Sequence, residues 1–242
     1  AAITATGTSA GLALNHGNYA STGTVTSGTD YNVKAPITLS GANATLGING
    51  TSYTLIHSMA QLDAIDSTGL GGNYALAQDL DAGSITYTSA LVGSASTPFS
   101  GRFAGLGHAI SNLTISAGSA DYVGLFAQNF GTLRDLGLVG GSVSGGDRVG
   151  GLAGYSGVSG SISNAYVAGS VSATGDDVGG LVGRNYGTIS SSHATGSVAG
   201  TSDNVGGLAG WNSGSISDAY ATASVSAAGF NAGGLVGWND GG

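Results

Sequence analysis

A glycine-rich motif that recurs through the second half of the chain constrains its fold more than any other sequence feature. The motif reads Val-Gly-Gly-Leu-Ala/Val-Gly followed by a large side chain, with copies at 149–155, 178–184, 205–211 and 232–238, where the last copy begins with Ala. A degenerate copy occupies 122–128, and the motif leucines recur every 27 to 29 residues. A period of this length indicates a repeat architecture, in which neighbouring copies stack on one another.

Two further apolar segments accompany each motif. One contains Leu133, Ile162, Ile189 and Ile216, and the other contains Val143, Val171, Val198 and Val225. Three short apolar segments separated by Gly, Ser, Asn and Asp are typical of one coil with three strands and three corners. Stacked strands lie about 4.8 Å apart, so the motif leucines and these two sets predict three interior columns.

Length variation falls where corners are expected. Two extra residues occur within 156–160, and one extra residue occurs near Gly140 and Gly141. A β-propeller would need four strands per repeat and a period of about 40 residues. The sequence therefore predicts an all-β, parallel β-helix with three short strands per 27-residue coil.

One segment departs from the strand pattern. Over residues 58–65, Ser58 can cap a helix, and Met59, Leu62 and Ile65 recur every third residue, which predicts a short helix packed on one side of the solenoid. We divide the chain into weakly patterned β-coils at 1–56, the short helix with irregular coils at 57–121, and regular coils at 122–242 that continue from them. Because residues 233–242 stop inside a motif, we expect a piece of a longer protein.

Composition excludes several classes of function. The net charge is −8, which argues against nucleic-acid binding. No apolar run approaches the roughly 20 residues of a membrane span. The chain has no Cys, which excludes disulfide scaffolds and thiol chemistry. With 41% hydrophobic residues the chain can still bury a core, so disorder is not expected.

The order Gly-Gly-Leu-Val-Gly with a following Asn, then Gly-x-Ile, then Gly-Ser-Val resembles the GLUG repeat of bacterial surface proteins. Segments 53–62, 73–81 and 103–113 resemble the region that leads into such repeats in filamentous-haemagglutinin-like adhesins. The resemblance implies a right-handed shaft, two-partner secretion with an outer-membrane partner, and an extracellular or cell-surface location. It also implies attachment to host cells, surfaces or matrix polysaccharide, and it offers no catalytic residues.

A stripe of large side chains follows the last glycine of the motif. Its members are Tyr155, Arg184, Trp211 and Trp238. With Leu208 pointing inward, strand alternation would place Trp211 outside together with Ala209, Val182 and Val236. Aromatic rings beside Arg can stack on sugars or on a partner's side chains, with a cation–π contact from Arg184. The stripe is a candidate ligand-binding surface; a ladder that shields the coil edges is the alternative.

Asp147, Asp176 and Asp203 predict a carboxylate corner. Stacked carboxylates repel one another unless a cation or water intervenes, so this corner is a candidate calcium site, with a solvated acidic corner as the alternative. The next position predicts a column of alternating charge formed by Asp121, Arg148 and Asp177. A further corner predicts a ladder of stacked amides, interrupted by Ser156, whose members are Asn129, Asn185, Asn212 and Asn239.

Catalysis has one candidate pair. Asp79 and Asp81 lie two residues apart and could serve as acid and base in a polysaccharide lyase or hydrolase. Since no His or basic residue lies near them in sequence, a corner role is favoured. The four His residues share no metal-binding spacing, although His193 shares a column with Tyr166 and Tyr220; the other three are His16, His57 and His108. We therefore predict an adhesin shaft that is not an enzyme, binds a carbohydrate or host-surface receptor, and needs no cofactor beyond that calcium. The alternatives are the polysaccharide-active enzyme and a carbohydrate-binding segment.

Overall fold

Short strands separated by turns wind around a shared apolar core. The computed structural model describes residues 2–14, 18–19, 25–26 and 35–241. The first strands are β1 (Ile3–Thr4), β2 (Gly11–Leu14), β3 (Asn18–Tyr19), β4 (Val25–Thr26), β5 (Ile37–Thr38), β6 (Thr45–Ile48) and β7 (Thr51–Ile56). They are followed by α1 (Met59–Asp63), α2 (Ile65–Thr68), β8 (Asn73–Leu76), β9 (Leu80–Asp81), β10 (Thr86–Tyr87), β11 (Arg102–Ala104), β12 (Ala109–Ser111) and β13 (Thr114–Ser116).

The regular repeats supply the remaining strands. The first of them are β14 (Phe126–Asn129), β15 (Thr132–Arg134), β16 (Gly137–Gly145), β17 (Val149–Gly150), β18 (Ala153–Ser156), β19 (Ser161–Ser163), β20 (Tyr166–Ala173), β21 (Val178–Gly179) and β22 (Val182–Asn185). The last are β23 (Thr188–Ser190), β24 (His193–Gly200), β25 (Val205–Gly206), β26 (Ala209–Asn212), β27 (Ser215–Ser217), β28 (Tyr220–Ala221), β29 (Ser224–Ala227), β30 (Ala232–Gly233) and β31 (Val236–Asn239).

The coils stack in parallel, as the repeat predicts. Strands β8, β11, β15, β19, β23 and β27 form one continuous parallel run. Within it Leu133 pairs with Ile162, and Ile162 with Ile189. The motif leucines from Leu125 to Leu208 and the valines from Val143 to Val198 are also buried. The parallel β-solenoid and its three interior columns are therefore confirmed, except at their last members: Ile216 and Val225 are partly buried and Leu235 is exposed.

Each copy of the motif bends sharply and does not form one continuous strand. It forms two short strands, such as β17 and β18, with a bend between them, so a regular coil carries four strand segments. The strands of the β17 type and of the β18 type build two thin sheets that pack closely against each other. A Cβ added to Gly150 would lie 2.7 Å from the Cα of Val182, and one on Gly183 would lie 2.6 Å from the Arg148 carbonyl carbon. The motif glycines are needed because backbone meets backbone there.

The extra residues sit at corners, as expected. Residues 157–160 form the turn between β18 and β19. The register of β16 against β20 shifts between Val139 and Ser142, and Gly140 and Gly141 both have positive φ, 70° and 75°. This β-bulge absorbs the inserted residue, so the valine column stays aligned on both sides.

The predicted helix at 58–65 is present as two short pieces. The Ser58 hydroxyl accepts a hydrogen bond from the Gln61 backbone N–H at 3.3 Å, which confirms its capping role. Met59, Leu62 and Ile65 are buried in the main core. Ala64 ends α1 and begins α2, so the helical segment is broken at that residue.

In the N-terminal part, predicted as weakly patterned β-coils over 1–56, β1 pairs in parallel with β5 and β2 in parallel with β6. In its described residues, β6 and β7 pair antiparallel as a hairpin around Asn49 and Gly50. Leu39 and Leu46 belong to a second apolar cluster with Ala75 and Ala104. Since the neighbours Tyr74, Leu76 and Phe103 face the main core, this cluster covers the outer side of the sheet formed by β7, β8 and β11.

Candidate functional site

The stripe predicted from the motif forms one in-register column. Tyr155 pairs with Arg184, Arg184 with Trp211, and Trp211 with Trp238. Gln128 precedes Tyr155 in the same column. Trp238 is 44% exposed, and the other three predicted members are half-buried. The structure therefore brings all four predicted residues together on one surface.

Tyr155 is the centre of an aromatic cluster that the sequence analysis did not identify. Its ring centroid lies 6.1 Å from Tyr122, 5.9 Å from Phe130 and 5.6 Å from Tyr186. Burial, followed by the neighbouring Tyr186 and Tyr122, raises the pKa of the Tyr155 hydroxyl. Phe130 and Tyr186 directly follow the corner Asn of their coils, which is the signal that would have found them. We call the surface formed by these rings, Arg148 and the stripe the aromatic face.

Two arginines lie against rings of this face. The Cζ of Arg148 is 4.7 Å from the ring centre of Tyr122, and the Cζ of Arg184 is 4.0 Å from that of Trp211, which are cation–π distances. Arg184 Nε also forms an ion pair with Asp177 Oδ2 at 2.7 Å. Trp211 donates its indole N–H to Asp240 Oδ1 at 3.0 Å. These contacts fix the orientation of the side chains, so the face is largely preorganised.

The expected outward direction of Val182 and Ala209 was wrong. Both are fully buried, whereas Trp211, two residues beyond Ala209, is half-buried. The reason is the bend inside the motif: β25 ends at Gly206, Leu208 lies in the bend, and Ala209 begins β26. Leu208 and Ala209 both contribute to the interior. Simple alternation fails where a strand is broken by a sharp turn.

The acidic corner is held together by backbone amides. Asp147 Oδ1 accepts the backbone N–H of Asp176 at 2.9 Å, and Asp176 Oδ1 accepts that of Asp203, also at 2.9 Å. Asp121 binds the N–H of Asp147 in the same way at 2.9 Å. The Ser202 hydroxyl, followed by the Asp203 N–H, lowers the pKa of Asp176. Donors from the next coil thus offset the repulsion expected between stacked carboxylates.

Calcium binding at this corner stays a prediction. Across the described residues, no three acidic or imidazole side chains come together as a metal-binding group.

The predicted column of Asp121, Arg148 and Asp177 was wrong at its first member. Val123 pairs with Val149, so Tyr122 precedes Arg148 in the column and Asp121 belongs to the acidic corner. The degenerate motif has one glycine fewer between its Val and Leu, which shifts the alignment by one residue. Asp177, in the left-handed region at φ 61°, is buried. Its burial raises its pKa, against the opposing effects of Asn204 and Arg184.

The amide ladder is present and stops at Ser156. Asn185 donates to Asn212 and Asn212 donates to Asn239, each at 2.7 Å between Nδ2 and Oδ1. Next to the shorter side chain of Ser156, the Asn129 Nδ2 and the Ser156 Oγ are buried without a protein partner. Hydrogen bonds between side chains therefore stabilise the corners at Asn185, Asn212 and Asn239. The corner at Ser156 lacks them and is less well stabilised.

The candidate catalytic residues Asp79 and Asp81 form hydrogen bonds between neighbouring coils. Asp79 Oδ1 lies 3.0 Å from Nδ1 of His108 and accepts the Ala109 N–H at 2.9 Å. His108 is therefore near Asp79 in space although 29 residues away, which sequence proximity did not indicate. Asp81 Oδ1 accepts from Gly83 and Asn112, which lower the pKa of Asp81. The two carboxylates bind separate partners.

The histidines take different places. His108 is buried, and its Nε2 lies 3.0 Å from the Ile37 carbonyl oxygen, so both ring nitrogens have partners. His193 stacks between Tyr166 and Tyr220 with ring centroids at 5.3 and 4.6 Å, which confirms the predicted column. The His57 backbone N–H donates to Gln61. His16 lies outside the described residues.

The fold and its glycine-packed motifs define a parallel β-solenoid of stacked coils. The family model "The GLUG motif" matches residues 174–199 and 201–226. The sequence is 39% identical over 151 residues to Halomucin of Haloquadratum walsbyi (strain DSM 16790 / HBSQ001), and the match covers 56% of this chain and 2% of that protein.

A solved structure shares the fold. It is a Bacteroides ovatus protein provisionally assigned as an immunoglobulin A1 protease, with a TM-score of 0.68 and 26% identity. The match covers 78% of this chain and 62% of that one, so the chain spans less than two thirds of either relative. Among the described residues, no helix has the length and apolarity needed to cross a membrane.

Proposed function

We propose that this chain is part of the structural shaft of a secreted surface adhesin and mediates attachment to host cells, surfaces or matrix polysaccharide. The observation that carries this proposal is the unbroken in-register stacking from β8 to β27, which makes a stiff spacer with a lengthwise aromatic face. The GLUG motif and the similarity to Halomucin support a surface-associated protein. Export by a two-partner route with an outer-membrane partner belongs to the same proposal.

The hydrogen bonds of Asp79 and Asp81 between neighbouring coils favour a structural role over an enzymatic one. Asp79 and Asp81 each accept a backbone N–H and contact a side chain of the following coil, so both carboxylates are used in holding coils together. The solved neighbour's provisional protease assignment is a property of that protein. We therefore propose that the chain acts without catalysis.

Attachment can be measured directly. Beads coated with the chain should be retained under flow on surfaces coated with host cells or matrix polysaccharide, more strongly than beads coated with an unrelated acidic β-solenoid. Equal retention of both bead types on every surface would refute the attachment role. In parallel, the chain is incubated with the same polysaccharides, and turnover that disappears in Asp79→Asn would support the enzyme instead.

A further inference from the structure

The aromatic face is long and continuous along the solenoid axis. Its rings extend from Tyr122 and Phe130 through Tyr155 to Trp211 and Trp238, where the last two are 6.2 Å apart. Gln128, Tyr155, Arg184, Trp211 and Trp238 occupy five successive coils. Four steps of about 4.8 Å give a length of roughly 19 Å, which suits an extended polymer better than a single small molecule.

The charges next to this face favour an uncharged ligand. The face holds two cations, Arg148 against the Tyr122 ring and Arg184 paired with Asp177. Asp240 accepts from Trp211. Asp147 and Asp176 lie on the adjacent corner, and the whole chain carries −8. A polyanion would be repelled by this field. Asp240 has an exposed carboxylate that can accept hydrogen bonds from hydroxyl groups, and the rings offer flat apolar surface.

We propose that the aromatic face binds an uncharged, linear polysaccharide that lies along the solenoid axis, with sugar rings packed against the exposed sides of Tyr155, Trp211 and Trp238. Pyranose rings have an apolar face of C–H groups that can pack on aromatic side chains, while their hydroxyls bond to the flanking carboxylates and guanidinium groups. This inference rests on the attachment role proposed above and gives it a ligand class.

The test is affinity electrophoresis of the folded chain through gels that contain one polysaccharide each. Uncharged probes are amylose, mixed-linkage β-glucan, mannan and galactan, and anionic probes are alginate and hyaluronate. We expect retardation by at least one uncharged polymer, with little change on adding salt. Tyr155→Ala, Trp211→Ala and Trp238→Ala should each weaken it about tenfold.

Tyr220→Ala is the matched control, because Tyr220 is an exposed ring, 53% accessible, on a different sheet. Trp238→Ala keeps the test valid should Tyr155→Ala fail to fold, since Trp238 is the most exposed of the stacking rings. No retardation by any uncharged polymer, salt-sensitive retardation by the anionic polymers alone, or an equal loss in Tyr220→Ala would overturn the proposal.

The bead assay separates the two proposals. If beads carrying Trp211→Ala and Trp238→Ala attach as well as beads carrying the unmodified chain, the aromatic face is not the ligand site and the attachment role stands. If beads carrying the unmodified chain fail to attach to any surface, the attachment role itself is wrong.

Discussion

The guanidinium of Arg184 joins the buried carboxylate of Asp177, 2.7 Å from its Nε, to the indole of Trp211, 4.0 Å from its Cζ. Asp177 directly precedes β21, and Arg184 lies in β22, the strand that packs against it. The contact therefore links the two thin sheets of the motif and fixes the aromatic face to the core.

Asp177→Asn should change the pH dependence of stability in a defined direction. The pKa of Asp177 is raised above 3.8 in the folded state. The stability that Asp177 contributes to the fold is therefore fully present below pH 3.8 and is lost as pH rises through the folded pKa. The variant has no carboxyl group at this position, so it does not lose this stability as pH rises. Its stability relative to the unmodified chain should rise between about pH 3 and about pH 7 in thermal melts.

Asp176→Asn is the control and should show the opposite slope. The pKa of Asp176 is lowered below 3.8, so its contribution is present above that value and is lost as pH falls through the folded pKa. Parallel slopes for the two variants would contradict the assigned environments.

Gly183→Ala should strongly destabilise the solenoid. The added methyl would lie 2.6 Å from the Arg148 carbonyl carbon and 2.6 Å from the Gly154 carbonyl oxygen, and backbone cannot move aside as a side chain can. We expect a loss of about 3 kcal/mol or more by urea unfolding. In Gly47→Ala the methyl would meet nothing nearer than 3.9 Å, so that variant should stay within about 0.5 kcal/mol.

Asn212→Ala should interrupt the amide ladder. The substitution removes the hydrogen bonds that Asn212 makes with Asn185 and Asn239, whereas those two amides keep their bonds to the Gly187 and Gly241 carbonyl oxygens. A loss of about 1–3 kcal/mol is expected in chemical unfolding. Asn43→Ala, at an exposed turn, should change stability by less than about 0.5 kcal/mol, and a similar cost at both positions would argue against the ladder.

His193→Tyr should make the chain less sensitive to mild acid. Burial lowers the pKa of His193 below 6.5, so stability is lost as pH falls from about 6.5 through the lower folded pKa. The tyrosine keeps a ring between Tyr166 and Tyr220 but does not titrate in that range. Melting temperatures at about pH 7.5 and about pH 5 measure the effect; an unchanged difference would show that His193 is not responsible.

Part of the candidate site could be predicted because the repeat period aligns residues. Once Leu152, Leu181 and Leu208 are matched, Tyr155, Arg184 and Trp211 follow as one column, and the structure has the same register. The predicted position of Asp121 failed because a single missing glycine shifts that coil by one residue. The contribution of Tyr122 was missed for the same reason.

The remaining relationships depend on contacts between different columns, whereas the repeat period predicts only the contacts within one column. The pairing of Arg184 with Asp177 and the meeting of His108 with Asp79 arise from the bend in the motif and from the winding of the chain. The second apolar cluster, with Leu39 and Leu46, packs on the outer sheet face through Ala75 and Ala104, small residues that show no distinctive pattern in sequence.

The sequence by itself determined the parallel solenoid, its three interior columns and the stripe, because residues that lie one period apart in sequence become neighbours in space when coils stack. Only the tertiary structure decided which side chains point outward from the motif, which carboxylates are buried, and why the glycines are required. These depend on the direction of each Cβ at a sharp bend, where two backbones approach closely enough to exclude a methyl group.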